Sequence, residues 1–488
     1  MSRIFWIIFI SLGAMSAYAQ PLPVSVNEAL GKAGIEPEAM AYALVPLHEG
    51  ATPVWYQPNK SLPPASTMKL VTTVVALTQL GPNYRGRTEL LTDGPIRNGE
   101  LRGNLVLRGL ADPDLDVPAL WELLYRLRAE GVRRVRGNVV LDRSFFVPER
   151  LDIGVSPFDE APEFQYNVIP DALFLNGNTL RYELVADASR VHIRTQPPLW
   201  GISVRSRQTV AAGKCKDWDK GWQPAEVAVS SRTRRAQVSF NGSFPANCTT
   251  LENLELIDRD IVANRLVRQL WADMGGRLDG RVVVGRAAAG ARVIAQHQSR
   301  PLAEVLRHMN KASDNPLTRL IYLSLGATAP ADARAQYETT AEASAVQVKR
   351  WFADQGIATE GMVLDNGSGL SRSERMTPQQ MTAMLAIAWR ASYAPELLAS
   401  MPLVGVDGTM RNRLKGTRAE ARARIKTGTL RDAVAVAGYV YDADEKPWAL
   451  SAMINHGTGS VGRPALDALI EWVATHRGPE IAGDVATP

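Results

Sequence analysis

The run Leu70-Val71-Thr72-Thr73-Val74-Val75-Ala76-Leu77 is apolar nearly all round, and it constrains the fold more than any other stretch. Pro63 and Pro64 precede it and Gly81 comes after it, which predicts a helix from about Ser66 to Leu80. A helix without a polar face has to lie at the centre of a domain, covered on every side. Its first turn nevertheless carries Ser66-Thr67-Met68-Lys69. Residues at i and i+3 share a helix face, so the Ser66 hydroxyl and the Lys69 ammonium can meet. The start of a helix is its positive end, which favours an oxyanion there. An amine held in such an interior loses hydration, its charged form is disfavoured, and it becomes a usable base for the hydroxyl beside it. The Ser-x-x-Lys spacing is common in unrelated chains, so its meaning depends on the motifs elsewhere in the chain.

The 488 residues suffice for two or three domains and a large core. Apolar content of 45% and charged content of 22% are those of a globular protein. The net charge of +5 is spread without a Lys/Arg block, which gives a nucleic-acid partner little support. Arg3, the apolar segment from Ile4 to Ile10 and Ala17-Tyr18-Ala19 stand in the order of a secretory signal peptide. Residues 1–19 are expected to be removed after Ala19, leaving an exported, periplasmic protein without a membrane span. After export, Cys215 and Cys248 are most simply a disulfide, with a stabilisation on the order of 3–4 kcal/mol. The six histidines are scattered, with no His-x-x-x-His or Cys-x-x-Cys spacing. Neither a metal nor any other cofactor is expected.

Along the chain, strands are predicted at 41–47 and 53–56, ahead of the Ser66 helix. From about Thr88 to Arg292 the texture changes to short alternating strands punctuated by Gly, Pro and Asn, with helices at 118–130 and 258–273. From Pro301 helical spacing returns, at 302–311, 333–352 and 377–391. Asn315 reads as an N-cap with Pro316 as the first helical residue. Strands are expected at 422–427, 433–441 and 448–455, and a last amphipathic helix at 464–476. The reading is of an α/β fold: an antiparallel sheet flanked by helices, with a large inserted β-rich lobe. The sheet-bearing domain takes residues 20–87 and 293–488. The lobe takes 88–292, as one unit or as two sub-domains.

Three short motifs stand in order: Ser66-Thr67-Met68-Lys69, Ser313-Asp314-Asn315 and Lys426-Thr427-Gly428-Thr429. They fall at a helix start, a loop between helices and a strand end. That set is the one found in penicillin-binding proteins and β-lactamases. The chain resembles the D-alanyl-D-alanine carboxypeptidase/endopeptidase family, the class C low-molecular-mass penicillin-binding proteins. The long interval from Lys69 to Ser313, the turn Leu80-Gly81-Pro82-Asn83-Tyr84, Gly369-Leu370-Ser371-Arg372 and Gly405-Val406-Asp407-Gly408-Thr409 carry the same resemblance. One departure from the family pattern is Thr318-Arg319, where a small residue and an acid are commoner.

The resemblance implies Ser66 as nucleophile, Lys69 as its base and Ser313 as proton relay to the leaving amine. It implies that Asn315 holds the substrate amide and helps place Lys69. Lys426, with the hydroxyl of Thr427 or Thr429, would hold the terminal carboxylate, and Gly428 would let substrate backbone lie along the strand edge. The backbone N–H groups of Ser66 and Thr429 would form the oxyanion hole. The implied substrates are peptidoglycan stem peptides and cross-links, with β-lactams as covalent inhibitors. Asp159 and Glu160 read as a solvated loop; the alternative implied by the resemblance is that they approach the site from the lobe and read the amino-bearing side chain of the stem peptide. Two alternatives compete with the D,D-peptidase. A β-lactamase lacks support because no Glu-x-x-x-Asn loop stands between Ser313 and Lys426. A catalytically weak cell-wall sensor or scaffold would have no need of the base.

Overall fold

The computed structural model describes residues 22–483. The expected signal peptide and its cleavage site lie outside the described residues. No described helix is long and apolar enough to cross a membrane.

The centre of the molecule is an antiparallel five-stranded sheet made from the two ends of the chain. Its strands are β1 (Met40–Pro46), β2 (Val54–Tyr56), β3 (Ala423–Thr429), β4 (Ala433–Tyr441) and β5 (Pro447–Asn455), in the spatial order β3-β4-β5-β1-β2. Side chains alternate between the faces, as the period of two requires. Val434, Val436 and Val440 join Tyr42, Leu44, Leu450 and Ile454 in one core. Helices α1 (Val24–Lys32) and α7 (Arg463–Thr475) cover that face. On the other face Ala437, Tyr439 and Ala449 meet a helical layer. The small residues there let helices approach the strands closely.

That layer contains α2 (Met68–Gln79), α3 (Leu302–Ala312), α4 (Asn315–Ala327), α5 (Thr340–Asp354) and α6 (Pro378–Trp389). Helix α2 is buried continuously from Met68 to Leu77, and α4 along its whole length. Each fully buried Leu or Val contributes about 1.5–3 kcal/mol, so the apolar side chains of α2 make it a large stabilising element.

Between Arg87 and Gln298 the chain builds four further sheets, the inserted β-rich lobe. Most of its apolar side chains form a core of their own, centred on Leu107, Leu123, Tyr182, Phe240 and Trp271. A few, including Phe146, Val168 and Phe174, pack instead into the helical layer beside α2 and α4. The expected disulfide is present between Cys215 and Cys248.

Three local expectations are corrected. Helix α2 opens with a 3-10 turn at Ala65–Thr67: the Thr67 N–H (3.2 Å) and hydroxyl (2.7 Å) both close on the Pro64 carbonyl three residues back. The single helix expected over 333–352 is two, Ala331–Arg334 and α5, because Thr339 forms a capping box with Glu342 and starts a new helix. The cap of α4 is Asp314, whose side chain accepts the Leu317 N–H at 2.8 Å. Asn315 is therefore the first helical residue, and its side chain is released for other contacts.

Candidate active site

The buried α2 carries Lys69 into the interior with no exposure. Its Nζ lies 3.1 Å from Ser66 Oγ, 2.6 Å from Asn315 Oδ1 and 2.5 Å from the Ser368 carbonyl. An ammonium can donate to all three. A neutral amine keeps two N–H donors for Asn315 and Ser368, and turns its lone pair to the Ser66 hydroxyl. Burial pushes the amine down to about 7. Asp314 and Glu374 oppose that shift, and Arg319 adds to it. A base that is half neutral near pH 7 is suited to taking a proton from Ser66.

Asn315 reaches this position from the first turn of α4, and its Nδ2 donates to the Tyr166 carbonyl at 3.0 Å. The amide is thus oriented from both ends, by the lobe on one side and Lys69 on the other. The departure from the family pattern at Arg319 has a structural counterpart. Its buried guanidinium donates to the Asn167 and Val168 carbonyls at 3.0 and 3.1 Å, fastening the same lobe segment to α4.

Ser313 sits between α3 and α4 in the left-handed region, φ 59°. Lys426, buried on β3, donates to Ser313 Oγ at 2.8 Å and to the Thr427 carbonyl at 2.7 Å. Burial first, and the charge of Lys69 second, push the Lys426 amine well down. The two lysines therefore sense each other, which joins the Ser66–Lys69–Asn315 group to the Ser313–Lys426 group electrostatically. Thr427 donates from its hydroxyl to Thr409 Oγ1 at 2.8 Å. Thr429 is exposed at the end of the same edge strand.

Two glycines allow this close assembly. A Cβ on Gly428 would stand 2.8 Å from the Ser66 nitrogen and 2.8 Å from the Pro64 carbonyl oxygen. Gly369 has φ +82°, and a Cβ there would overlap the Ala65 carbonyl at 1.8 Å. Gly428→Ala is expected to move β3 off the Ser66 turn. The rate of covalent modification of Ser66 should fall on the order of tenfold to hundredfold, as read by stopped-flow with an acylating probe.

The eight sequence-predicted site residues thus fall into two hydrogen-bonded groups plus the β3 edge that abuts Ser66. The cysteines lie elsewhere, in the lobe. Sequence reasoning missed the Ser368 and Tyr166 carbonyls, because every residue has a carbonyl and none is marked by its side chain. It also missed roles for Thr409, which ends the stretch 405–409 that carried the resemblance, and for Glu374, two residues past the stretch 369–372. Asp159 and Glu160, read as a solvated loop, line a cavity of about 450 Å3 with Arg372, Thr429 and Arg431. Glu160 pairs with Arg431 at 2.9 Å, and Asp159 accepts from Tyr166 Oη at 2.9 Å and Asn167 Nδ2 at 2.7 Å.

The profile of the D-Ala-D-Ala carboxypeptidase 3 (S13) family matches residues 22–476. A D-alanyl-D-alanine carboxypeptidase of Actinomadura sp. (strain R39) is 30% identical over 441 residues, covering 86% of this chain and 79% of that protein. The D-alanyl-D-alanine carboxypeptidase DacB of Haemophilus influenzae is 28% identical over 415 residues, covering 81% of each. The crystal structure of penicillin binding protein 4 (dacB) from Haemophilus influenzae superposes with a TM-score of 0.74 at 23% identity, over 92% of this chain and 98% of that one. This last likeness establishes the fold.

Proposed function

Because the chain belongs to the D-Ala-D-Ala carboxypeptidase 3 (S13) family, we propose that this carboxypeptidase works through an acyl-enzyme on Ser66. We further propose that it cuts D-alanyl bonds both at the ends of peptidoglycan stem peptides and within cross-links. The observation that carries the reading is the buried Lys69 amine, set within hydrogen-bond reach of Ser66 Oγ, Asn315 Oδ1 and the Ser368 carbonyl.

In this scheme Ser66 Oγ attacks the carbonyl carbon of the penultimate D-alanine as its proton passes to Lys69 Nζ. The carbonyl oxygen becomes an oxyanion, held by the N–H groups of Ser66 and Thr429; one such donor is worth about 3–4 kcal/mol in the transition state. When the tetrahedral species collapses, the C–N bond breaks and the leaving amine receives a proton through Ser313. Lys426, Thr427 and Thr429 hold the terminal carboxylate. Asn315 holds the substrate amide while fixing Lys69. Water then attacks the ester, releasing the shortened peptide and restoring the Ser66 hydroxyl. Carboxypeptidase and endopeptidase action differ only in what the departing amine carries. A β-lactam would acylate Ser66 by the same attack, but its amine stays tethered to the acyl group and does not diffuse away. The cavity beside Thr429, with Asp159, Glu160, Arg372 and Arg431, is the place for the charged end of a stem peptide. Export to the periplasm, where peptidoglycan lies, completes the proposal.

The scheme fixes a pH dependence. Lys69 must be neutral to act, and its amine is held at about 7. The second-order rate of acylation should therefore rise as pH increases through about 7 and level off above it. A pH profile with a chromogenic β-lactam measures this limb. A limb that instead falls through pH 7 would contradict Lys69 as base.

The deciding experiment incubates the protein with pentapeptide monomers and with cross-linked muropeptide dimers, and analyses the products by mass spectrometry. Loss of one alanine from monomers marks carboxypeptidase action, and conversion of dimers to monomers marks endopeptidase action. Ser66→Ala must abolish both, together with labelling by a fluorescent penicillin. Labelled protein that leaves both substrates intact would replace this reading with that of a sensor or scaffold.

A further inference from the structure

Glu374 is a carboxylate buried at the back of the site, 1% exposed, and it takes no part in the proposed reaction steps. Its oxygens accept backbone N–H groups. Oε1 takes those of Asp365 (3.3 Å), Asn366 (3.0 Å) and Gly367 (2.7 Å), and Oε2 takes that of Gly369 (2.9 Å). The loop it gathers presses on the Ser66 turn at Gly369 and is tied to α2 by the Thr72 hydroxyl, which donates to the Gly367 carbonyl at 2.8 Å. The N–H of Gly369 and the C=O of Ser368 belong to one peptide group, which is planar and rigid. One end of that plane is held by Glu374, and the other accepts from Lys69 Nζ at 2.5 Å. A hydrogen-bonded chain therefore runs from the Glu374 carboxylate through one peptide to the base, and such chains polarise cooperatively.

We propose that Glu374 is a positioning residue for Lys69: by holding the Gly369 N–H it aims the Ser368 carbonyl at the amine, and it supplies the negative charge behind that peptide. This rests on the reading of Lys69 as the base of Ser66. The charged groups facing Lys69 come from several elements. Asp314 at the cap of α4 and Glu374 favour its protonated form, Arg319 on α4 disfavours it, and Lys426 on β3 is coupled to it by like charge. Glu374 itself is pushed up by burial and by Asp365, against the pull of its N–H donors. Burial first, and the Glu374 and Asp365 carboxylates after it, push the Tyr322 phenol well up.

The two functions of Glu374 separate in two variants. Glu374→Asp keeps the charge but shortens the reach. Acylation should slow by about tenfold or more, with the acid limb of its pH profile in place. Glu374→Gln removes the charge and turns an amide NH2 toward a backbone donor. Acylation should slow similarly, and the limb should move to lower pH by roughly half a unit to one unit, because a charge favouring protonated Lys69 is gone. Both are read by stopped-flow acylation with a chromogenic β-lactam between pH 5 and 9, beside melting curves. Parent-like rates in Glu374→Gln, or equal losses in both variants with an unmoved limb, would overturn the proposal and leave Glu374 a structural residue. Should the Gln variant fail to fold, a tenfold slower Glu374→Asp with a parent-like melt supports the positioning role, and a parent-like rate refutes it. A parent protein that is never acylated at Ser66 would instead overturn the reading on which this one rests.

Discussion

Lys69→Met is expected to slow acylation of Ser66 by about 10²–10⁴-fold without unfolding the protein. Methionine matches the length of the lysine stem and suits the apolar neighbours along α2, but it offers no lone pair for the Ser66 proton. The Asn315 Oδ1 and Ser368 carbonyl lose their donor, at about 1–3 kcal/mol each. Against this stands the cost of the amine itself. A lysine held at about 7 when folded and about 10.4 when unfolded disfavours the native state as pH falls from about 10 toward 7. The penalty reaches on the order of 4–5 kcal/mol at and below neutral pH. The two effects are of similar size and opposite sign. The melting temperature of Lys69→Met at pH 7 should therefore not fall below that of the parent, and the parent should gain on the variant as pH rises toward 10. Calorimetry across that range, with acylation rates at pH 8, tests both. A variant acylated at the parent rate would mean that another group accepts the Ser66 proton.

Asp171→Ala should be among the most destabilising single changes in the chain, costing about 3–5 kcal/mol. Asp171 is fully buried in the lobe and accepts from Arg143 Nε at 2.7 Å and Arg259 Nη1 at 3.2 Å. Both arginines are nearly fully buried as well. Removing the carboxylate leaves two guanidiniums short of a counter-charge where water has little access. Asp171 lies just beyond the segment whose Tyr166, Asn167 and Val168 carbonyls hold Asn315 and Arg319. The loss should therefore also loosen Asn315 and slow acylation at temperatures below the melt. Urea denaturation followed by tryptophan fluorescence measures the first effect, and penicillin labelling at 25 °C the second. A loss under about 1 kcal/mol would show that Arg143 and Arg259 are satisfied by Asp260 and Glu255 alone.

The residues that could be read from the sequence are those whose chemistry is local. An apolar run without a polar face must be buried, so α2 was legible, and with it the depth of Lys69. The i, i+3 spacing put Ser66 on the same face. The alternation of residues 422–427 marked β3, and short strands punctuated by Gly, Pro and Asn marked the inserted β-rich lobe. Helix caps were less legible. Asp314 and Asn315 are both good N-caps, and only the path of the chain out of the left-handed Ser313 decided that Asp314 caps and Asn315 turns inward.

The rest of the site depends on groups that every residue carries or on neighbours distant in sequence. The Ser368 and Tyr166 carbonyls complete the surroundings of Lys69 and Asn315, yet a backbone carbonyl leaves no trace in a sequence. Glu374 reads as any surface glutamate until the loop from Asp365 to Gly369 folds its N–H groups onto it. The same holds for Arg319, whose partners lie in the lobe. Which side chains can do acid–base and nucleophilic chemistry is legible in the chain itself, because side-chain identity and local period are written there. Their mutual aim came from packing two chain ends and an inserted lobe around one buried helix, because distances and desolvation exist only once the chain has folded.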